Sequence, residues 1–287
     1  MRDANCATYL VGIRARSCCR LLFTVLVLAL RLCWPQEVHT GIDPLSVTSL
    51  QLKIRHNDVE IGTATGFVLQ KNGNYYLLTN RHVVLACAED QSPTNVGGWI
   101  CANKLNILHN RSGRLGEWLW VTEELFDGHG NKRWFEHPKL GAGADIVALP
   151  LQHTNDVQFY PLDLNLRSAD IALSPGDPVS IIGFPYGQAQ GAGLAIWKIG
   201  TIASDPDYDY REKPVFLIDT TSRPGMSGSP VYAVRSGAYR SSDESLKMAI
   251  NGSIRRFLGV YSAQMQAAEI GMVWKADVIV AIYDSLP

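Results

Sequence analysis

The sequence has almost no net charge: 26 lysines and arginines stand against 27 aspartates and glutamates, leaving −1 at neutral pH. Without a surplus of cations there is no electrostatic footprint for a phosphate backbone, and no basic patch interleaved with aromatics stands out, so a nucleic-acid partner is set aside. Cys-x-x-Cys is missing and the seven histidines are scattered, which removes the usual spacings of a metal site; no metal and no cofactor are expected. Long apolar runs are short of the about 20 residues that a membrane-spanning helix needs. The glycine-rich stretch from Gly187 to Gly193 lacks the Gly-Lys-Ser/Thr of a phosphate cradle and opens no helical pattern, so it reads as a flexible surface turn.

What is present is a globular composition. At 287 residues and 46% hydrophobic, the chain can bury a sizeable core, and all-β barrel proteins of about 200 to 250 residues run as one unit. The first forty residues differ from the rest. Arg2, Arg14, Arg16 and Arg20 precede an apolar run from Leu21 to Leu30, before Arg31, Cys33, Trp34 and Pro35. A positive start followed by about 7 to 15 apolar residues is the pattern of an export signal. No small-x-small cleavage site comes after it, so residues 1–40 are expected to act as a signal peptide or an uncleaved membrane anchor. Four of the six cysteines lie there, leaving Cys87 and Cys101 in the domain. In an exported protein these two can form a disulfide, worth up to about 3 kcal/mol for so short a loop; the alternative is two buried thiols.

Three stretches carry chemistry. In the first, Ser227 stands between Gly225 and Gly228, with Pro224 before and Pro230 after, a composition that makes a tight turn presenting a hydroxyl and inward-facing N–H groups. Such a turn suits acyl transfer, with Ser227 attacking a carbonyl while the N–H groups of Gly225 and Ser227 stabilise the oxyanion. In the second, Asn74 to Val84 reads as a strand that delivers His82 at its end. In the third, Asp145 opens the apolar run Ile146 to Leu149. A serine hydroxyl is a poor nucleophile at neutral pH and needs a base, and the base needs a carboxylate to fix its tautomer. Asp156, Asp163 and Asp170 compete for that role, but none sits at the edge of so apolar a run.

The remaining pattern is one of strands. Ser46 to Arg55 alternates apolar and polar residues, and Glu60 to Gln70 and Asn74 to Thr79 form a hairpin through Asn72-Gly73. Val83 to Ala88 starts a short helical turn. Between Ala88 and Ala144, Gly116 to Thr122 and Lys132 to His137 are the plausible strands; the tryptophans there cover a core rather than line a cleft, and His109, His129 and His137 read as loop or surface residues. Asp145 to Leu151 is a buried strand, and His153 to Ala172 connects the halves. Asp177 to Pro185, Leu194 to Ile202, Pro214 to Asp219, Pro230 to Val234 and Arg256 to Gln264 are further strands, with Ser236 to Glu244 a mobile polar loop. Lys275 to Leu286 has helical spacing.

With His, Asp and Ser in that order, and with Thr79-Asn80-Arg81-His82-Val83-Val84, Asp145-Ile146-Val147-Ala148 and Gly183-Phe184-Pro185-Tyr186-Gly187 in place, the chain resembles the trypsin-like serine peptidases of the chymotrypsin fold. The likeness is greatest to the bacterial and high-temperature-requirement types and runs from about Leu45 to Leu286. An α/β-hydrolase would place its serine first, in a Gly-x-Ser-x-Gly elbow whose last glycine is here Ser229. The resemblance implies an all-β protein of two six-stranded antiparallel Greek-key β-barrels with a short C-terminal helix. The first barrel would occupy about 45–152, the second about 170–275 and the helix 275–286 of a peptidase domain over 41–287. It implies a serine endopeptidase that takes a polypeptide substrate, with His82, Asp145 and Ser227 catalytic. Gly259 to Gln264 would be the strand that pairs with the substrate backbone, so that Ser262, Ala263 and Gln264 bind substrate, and Ser262 would hydrogen-bond Asp145. Alternatives are a silent peptide-binding module on the same barrel and an esterase.

Two positions depart from the digestive relatives. Their activation pairs a freed N-terminal amine with an aspartate just before the serine, where this chain has Met226, so activation by N-terminal cleavage is not expected. Their basic specificity needs an aspartate six residues before the serine, where this chain has Thr221. A substrate lysine or arginine would be desolvated there without its counter-charge, so small or medium uncharged side chains are expected. With Pro287 so close behind the predicted helix, no peptide-binding domain is expected beyond the peptidase.

Overall fold

In the computed structural model, residues 41–90, 98–114, 116–221, 223–265 and 269–287 are described. The chain divides into two units, Met1–Gly41 and Ile42–Pro287. The expected leader over residues 1–40 lies outside the described residues, and the strands and helices belong to the second unit. Among the described residues no helix is long and apolar enough to cross a membrane.

Asp43 accepts the Leu45 N–H at 2.9 Å and Pro44 holds the first helical position, so residues expected to begin a strand instead form a helical turn, α1 (Pro44–Thr48). The strand starts at Ser49. The first half then runs β1 (Ser49–His56), β2 (Val59–Lys71), β3 (Asn74–Thr79), α2 (Arg81–Val84), β4 (Cys87–Glu89), β5 (Trp99–Cys101), β6 (Lys104–Arg111), β7 (Trp118–Glu124), β8 (Phe135–Glu136), β9 (Val147–Pro150) and β10 (Val157–Gln158). The β2–β3 hairpin closes on Asn72 and Gly73, both with positive φ (51° and 81°), the primed turn whose twist matches the strands it joins. The sheet order is β10-β6-β1-β2-β3-β9-β8, with β7 paired to β6. Six strands of four or more residues make up this half, as the resemblance implies; the count of eight comes from the two-residue strands β8 and β10 at its ends. Cys87 and Cys101 face each other across the separate β4–β5 ribbon and are joined by a disulfide.

The second half comprises β11 (Pro178–Gly183), β12 (Ile196–Ile202), β13 (Val215–Asp219), β14 (Pro230–Arg240), β15 (Leu246–Met265) and β16 (Ile270–Lys275). They close a six-stranded barrel in the order β11-β12-β13-β16-β15-β14, and α3 (Ala276–Ser285) comes after it. Val278, Ile279 and Ile282 bury one face of α3, and Lys71 Nζ donates to the carbonyls of Tyr283, Asp284 and Leu286 at 2.6–2.9 Å, a cation on the helix C-terminus. One apolar cluster runs through both halves: Phe67, Tyr76, Leu78 and Ile146 from the first meet Ile182, Phe184, Tyr232 and Phe257 from the second. Each such buried phenylalanine contributes about 1.5–3 kcal/mol, and this seam is what holds the two halves in register.

Several expectations are corrected. The polar stretch Ser236 to Glu244 is largely strand, since β14 pairs with β15 from Pro230 to Arg240; Ser236, Ala238 and Arg240 face water while Gly237 and Tyr239 turn partly inward, and with glycine at one inward position the alternation is not written in hydrophobicity. β6 lies in the segment from Ala88 to Ala144, beside the two strands expected there, and β16 has no counterpart among the expected strands. His109 is buried on β6 against Phe159, and His137 is buried with its Nδ1 accepting the N–H groups of Lys139 and Leu140; His129 is exposed. Of the tryptophans in that segment Trp134 is in the core, whereas Trp99 is 72% exposed.

Candidate active site

β3 ends on the buried Thr79, the buried Asn80 comes next, and α2 begins at once, turning His82 out of the sheet to its rim. β9 pairs antiparallel with β3 and sets Val147 opposite Thr79. Two residues further along that register, Asp145 comes beside Arg81 and His82. Asn80 Nδ2 donates to the Asp145 carbonyl at 2.8 Å, which fixes the backbone there. The carboxylate then meets His82 twice: Oδ1 accepts its backbone N–H at 2.9 Å and Oδ2 lies 2.7 Å from Nδ1. Ser262 Oγ from β15 donates to the same Oδ2 at 2.5 Å.

Burial alone would push the Asp145 carboxyl up, but the hydrogen bonds from His82 and Ser262 outweigh it and hold the group below the ordinary aspartate range. Asp145 is therefore ionised at neutral pH and can only accept. His82 Nδ1 must carry a proton, which leaves Nε2 as an acceptor. Nε2 stands 2.9 Å from Ser227 Oγ, and the same hydroxyl reaches the Ser262 carbonyl at 3.1 Å.

Ser227 sits on a turn held by its backbone. Met226 N–H donates to Arg223 O at 3.2 Å, Pro224 is the second residue and Gly225 the third, with φ +94°; this is a type II turn, which needs glycine at that position. Pro224 O accepts the N–H of Tyr186 at 2.6 Å. Because carbonyl and N–H point opposite ways across a trans peptide, the Gly225 N–H faces away from Tyr186. A side chain on Gly225 would collide with Phe184 O. Downstream, Thr65 N–H donates to Ser227 O at 2.8 Å and Gly228 N–H to Tyr261 O at 2.9 Å. Met226 is buried with Ile181, Phe216 and Val231, so the position before the serine is apolar contact and not an ion-pair partner.

Of the residues singled out in the sequence, His82, Asp145, Ser227, Gly225 and Ser262 come together. Ala263 and Gln264 continue β15 past Ser262. Thr221 is exposed and, among the described residues, stands apart from this hydrogen-bond network. Three contributors have no role assigned from the sequence: Asn80 and the backbone of Tyr186, which stand inside the family motifs, and Thr65, a fully buried threonine on β2. The only signal for Thr65 is a polar residue inside an apolar strand. Among the described residues no group of three or more His, Cys, Asp or Glu is placed to hold a metal ion.

Residues 64–238 match the family model described as "Trypsin-like peptidase domain". No curated protein sequence matches the chain. Similar solved structures include the serine endoprotease from Yersinia pestis, at 14% identity and a TM-score of 0.48, covering 86% of this chain and 67% of that one. The MamO protease domain from Magnetospirillum magneticum matches at 14% identity and a TM-score of 0.45, over 83% and 96% of the two chains. Tobacco etch virus protease in complex with product matches at 11% identity and a TM-score of 0.44, over 84% and 79%.

Proposed function

The chain belongs to the trypsin-like peptidase family, and from that premise we propose that it is a serine endopeptidase working through an acyl-enzyme. The observation that carries this is the unbroken path from Asp145 through His82 to Ser227, with steps of 2.7 and 2.9 Å. As Ser227 Oγ attacks the carbonyl carbon of the peptide bond, its proton passes to His82 Nε2, and Asp145 stabilises the imidazolium that forms. The oxygen that becomes negative takes hydrogen bonds from the N–H groups of Gly225 and Ser227. Collapse of the intermediate breaks the C–N bond, and His82 returns the proton to the leaving amine. A water then gives a proton to His82 and attacks the ester carbon; as the bond to Ser227 Oγ breaks, His82 returns that proton to Oγ, releasing the acid and regenerating Ser227.

The substrate in this proposal is an extended polypeptide laid along β15 at Ser262, Ala263 and Gln264 by strand addition. Thr221 in place of an acidic residue favours small or medium uncharged side chains before the cleaved bond. Burial of Met226 among apolar neighbours favours a site that needs no freed N-terminus. The leader over residues 1–40 exports the domain or anchors it to a membrane.

The test uses a fluorophosphonate probe on the full chain beside Ser227→Ala, and then casein and a short-chain ester. Labelling and casein cleavage that vanish in Ser227→Ala, a loss of about a million-fold in rate, are the expected result. Ester hydrolysis without casein cleavage would make the protein an esterase, and no Ser227-dependent labelling would leave a peptide-binding module.

A further inference from the structure

Thr65 meets the Ser227 turn with both its N–H and its hydroxyl. The N–H donates to Ser227 O at 2.8 Å and the hydroxyl donates to Gly225 O at 2.8 Å. The same hydroxyl accepts the N–H of Phe184 at 3.1 Å, and the Thr65 carbonyl accepts the hydroxyl of Thr79 at 2.8 Å. Thr65 is fully buried.

The two hydroxyl bonds link opposite sides of one device. Phe184 begins the short segment, through Pro185 and Tyr186 to Gly187, that grips the turn from the other side. Within it Gly187 N–H donates to Phe184 O at 2.9 Å, and Tyr186, at φ 55° and ψ 24°, is held in a left-handed conformation that aims its N–H at Pro224 O. Gln51 Nε2 adds a bond to Gly187 O at 2.5 Å. One hydroxyl thus fixes the carbonyl of Gly225 and also the first residue of the segment whose Tyr186 N–H fixes the carbonyl of Pro224. Both peptide planes flanking Gly225 are set by this arrangement, and the direction of the Gly225 N–H is a consequence of them.

We propose that Thr65 is a positioning residue for the oxyanion site: its hydroxyl ties Gly225 to the Phe184–Gly187 segment and keeps the Gly225 N–H turned toward the reacting carbonyl. It restrains the turn through hydrogen bonds to Gly225 O and Ser227 O, while Met226, packed against Ile181, Phe216 and Val231, offers no ion pair. This rests on the peptidase reading of the site. Without the hydroxyl, Gly225 O and Phe184 N–H lose a buried partner; the Gly225–Met226 peptide loses its restraint, and the segment whose Tyr186 N–H holds Pro224 O is less firmly placed, which weakens transition-state stabilisation more than substrate binding.

The test compares Thr65→Val, which keeps the shape and β-branching, with Thr65→Ser, which keeps the hydroxyl, in the full chain. The readouts are the rate of fluorophosphonate labelling of Ser227, kcat and KM on a peptide substrate, and the melting temperature. Thr65→Val is expected to slow labelling and kcat by about 10- to 100-fold with KM within about threefold of wild type, and Thr65→Ser to recover most of the rate. Should Thr65→Val fail to melt cooperatively, Thr65→Ala takes its place. Wild type that labels beside a Thr65→Val that labels as fast overturns the inference alone, as does a Thr65→Ser as slow as Thr65→Val. Wild type that does not label overturns the peptidase reading, and this inference with it.

Discussion

Two places in the second half of the molecule bend the chain through glycines of positive φ, and they are built to opposite standards. In the Ser227 turn, Gly225 and Gly228 (φ +94° and +87°) lie against backbone, so a side chain on either would collide with Phe184 O or Thr65 O. Where β14 and β15 shift register in their distal part, Gly237 (φ +70°), and across from it Gly252 with no positive φ, have open space among the described residues where a side chain would go. There Leu246, Met248 and Ile250 are 79%, 60% and 76% exposed, and Asp243 gathers the hydroxyls of Ser241 and Ser245 around itself. Those bonds hold the Asp243 carboxyl well below the usual range, a purely local arrangement. Close contact from several strands fixes the Ser227 turn; the hairpin end is joined to the body through polar bonds, from the Ser242 N–H and Lys247 Nζ to Asp170 and from Arg240 to Ser174.

The comparison breaks most visibly at glycine. Gly228→Ala should cost about 3 kcal/mol or more, from backbone strain added to the clash with Thr65 O, whereas Gly252→Ala should stay within about 0.5 kcal/mol; denaturant midpoints of the two variants measure the difference. Equal midpoints would mean that the turn is no more constrained than the hairpin.

Acid supplies a control that lies in neither place. His109 is buried on β6, its Nε2 without a partner among the described residues, and burial pushes its pKa down from 6.5 to about 4. The unfolded chain takes up this proton first, so the stabilisation is fully present above pH 6.5 and drains away as pH falls toward 4. The loss should total about 3 kcal/mol over that window, and His109→Gln should flatten this part of the curve of unfolding free energy against pH without changing labelling of Ser227 at neutral pH.

A smaller effect is expected inside the network. Ser262→Ala removes one of the donors to Asp145, and kcat should fall about tenfold with little change in KM. Smallest of all, Leu246→Ser, Met248→Ser and Ile250→Ser should each leave the melting temperature where it is, since the change is less than about 0.5 kcal/mol at an exposed position.

The legible part of the site is its side chains. His82, Asp145 and Ser227 can be picked out because each stands at the edge of an apolar run or between glycines, and proton transfer needs those chemical groups. Asn72-Gly73 marks its hairpin because only a left-handed turn fits two adjacent strands there. Strands whose inward positions are not apolar are hard to read: in the distal part of β14 the inward positions are Gly237 and Tyr239, so the alternation is there in burial and missing in hydrophobicity. β6 escapes notice although Leu105, Ile107 and His109 do alternate inward, because a histidine in the inward pattern reads as a surface residue.

By itself, the amino-acid order determined which reactive groups exist, in which sequence they occur, and that short strands separated by turns must carry them. Folding decided what no residue type encodes: which way the peptides on either side of Gly225 face, and that a threonine 160 residues distant along the chain holds the Gly225 carbonyl. The physical reason is that side-chain chemistry is local and written in the residue, whereas a backbone N–H is the same at nearly every position and acquires its direction only from partners brought in by other strands.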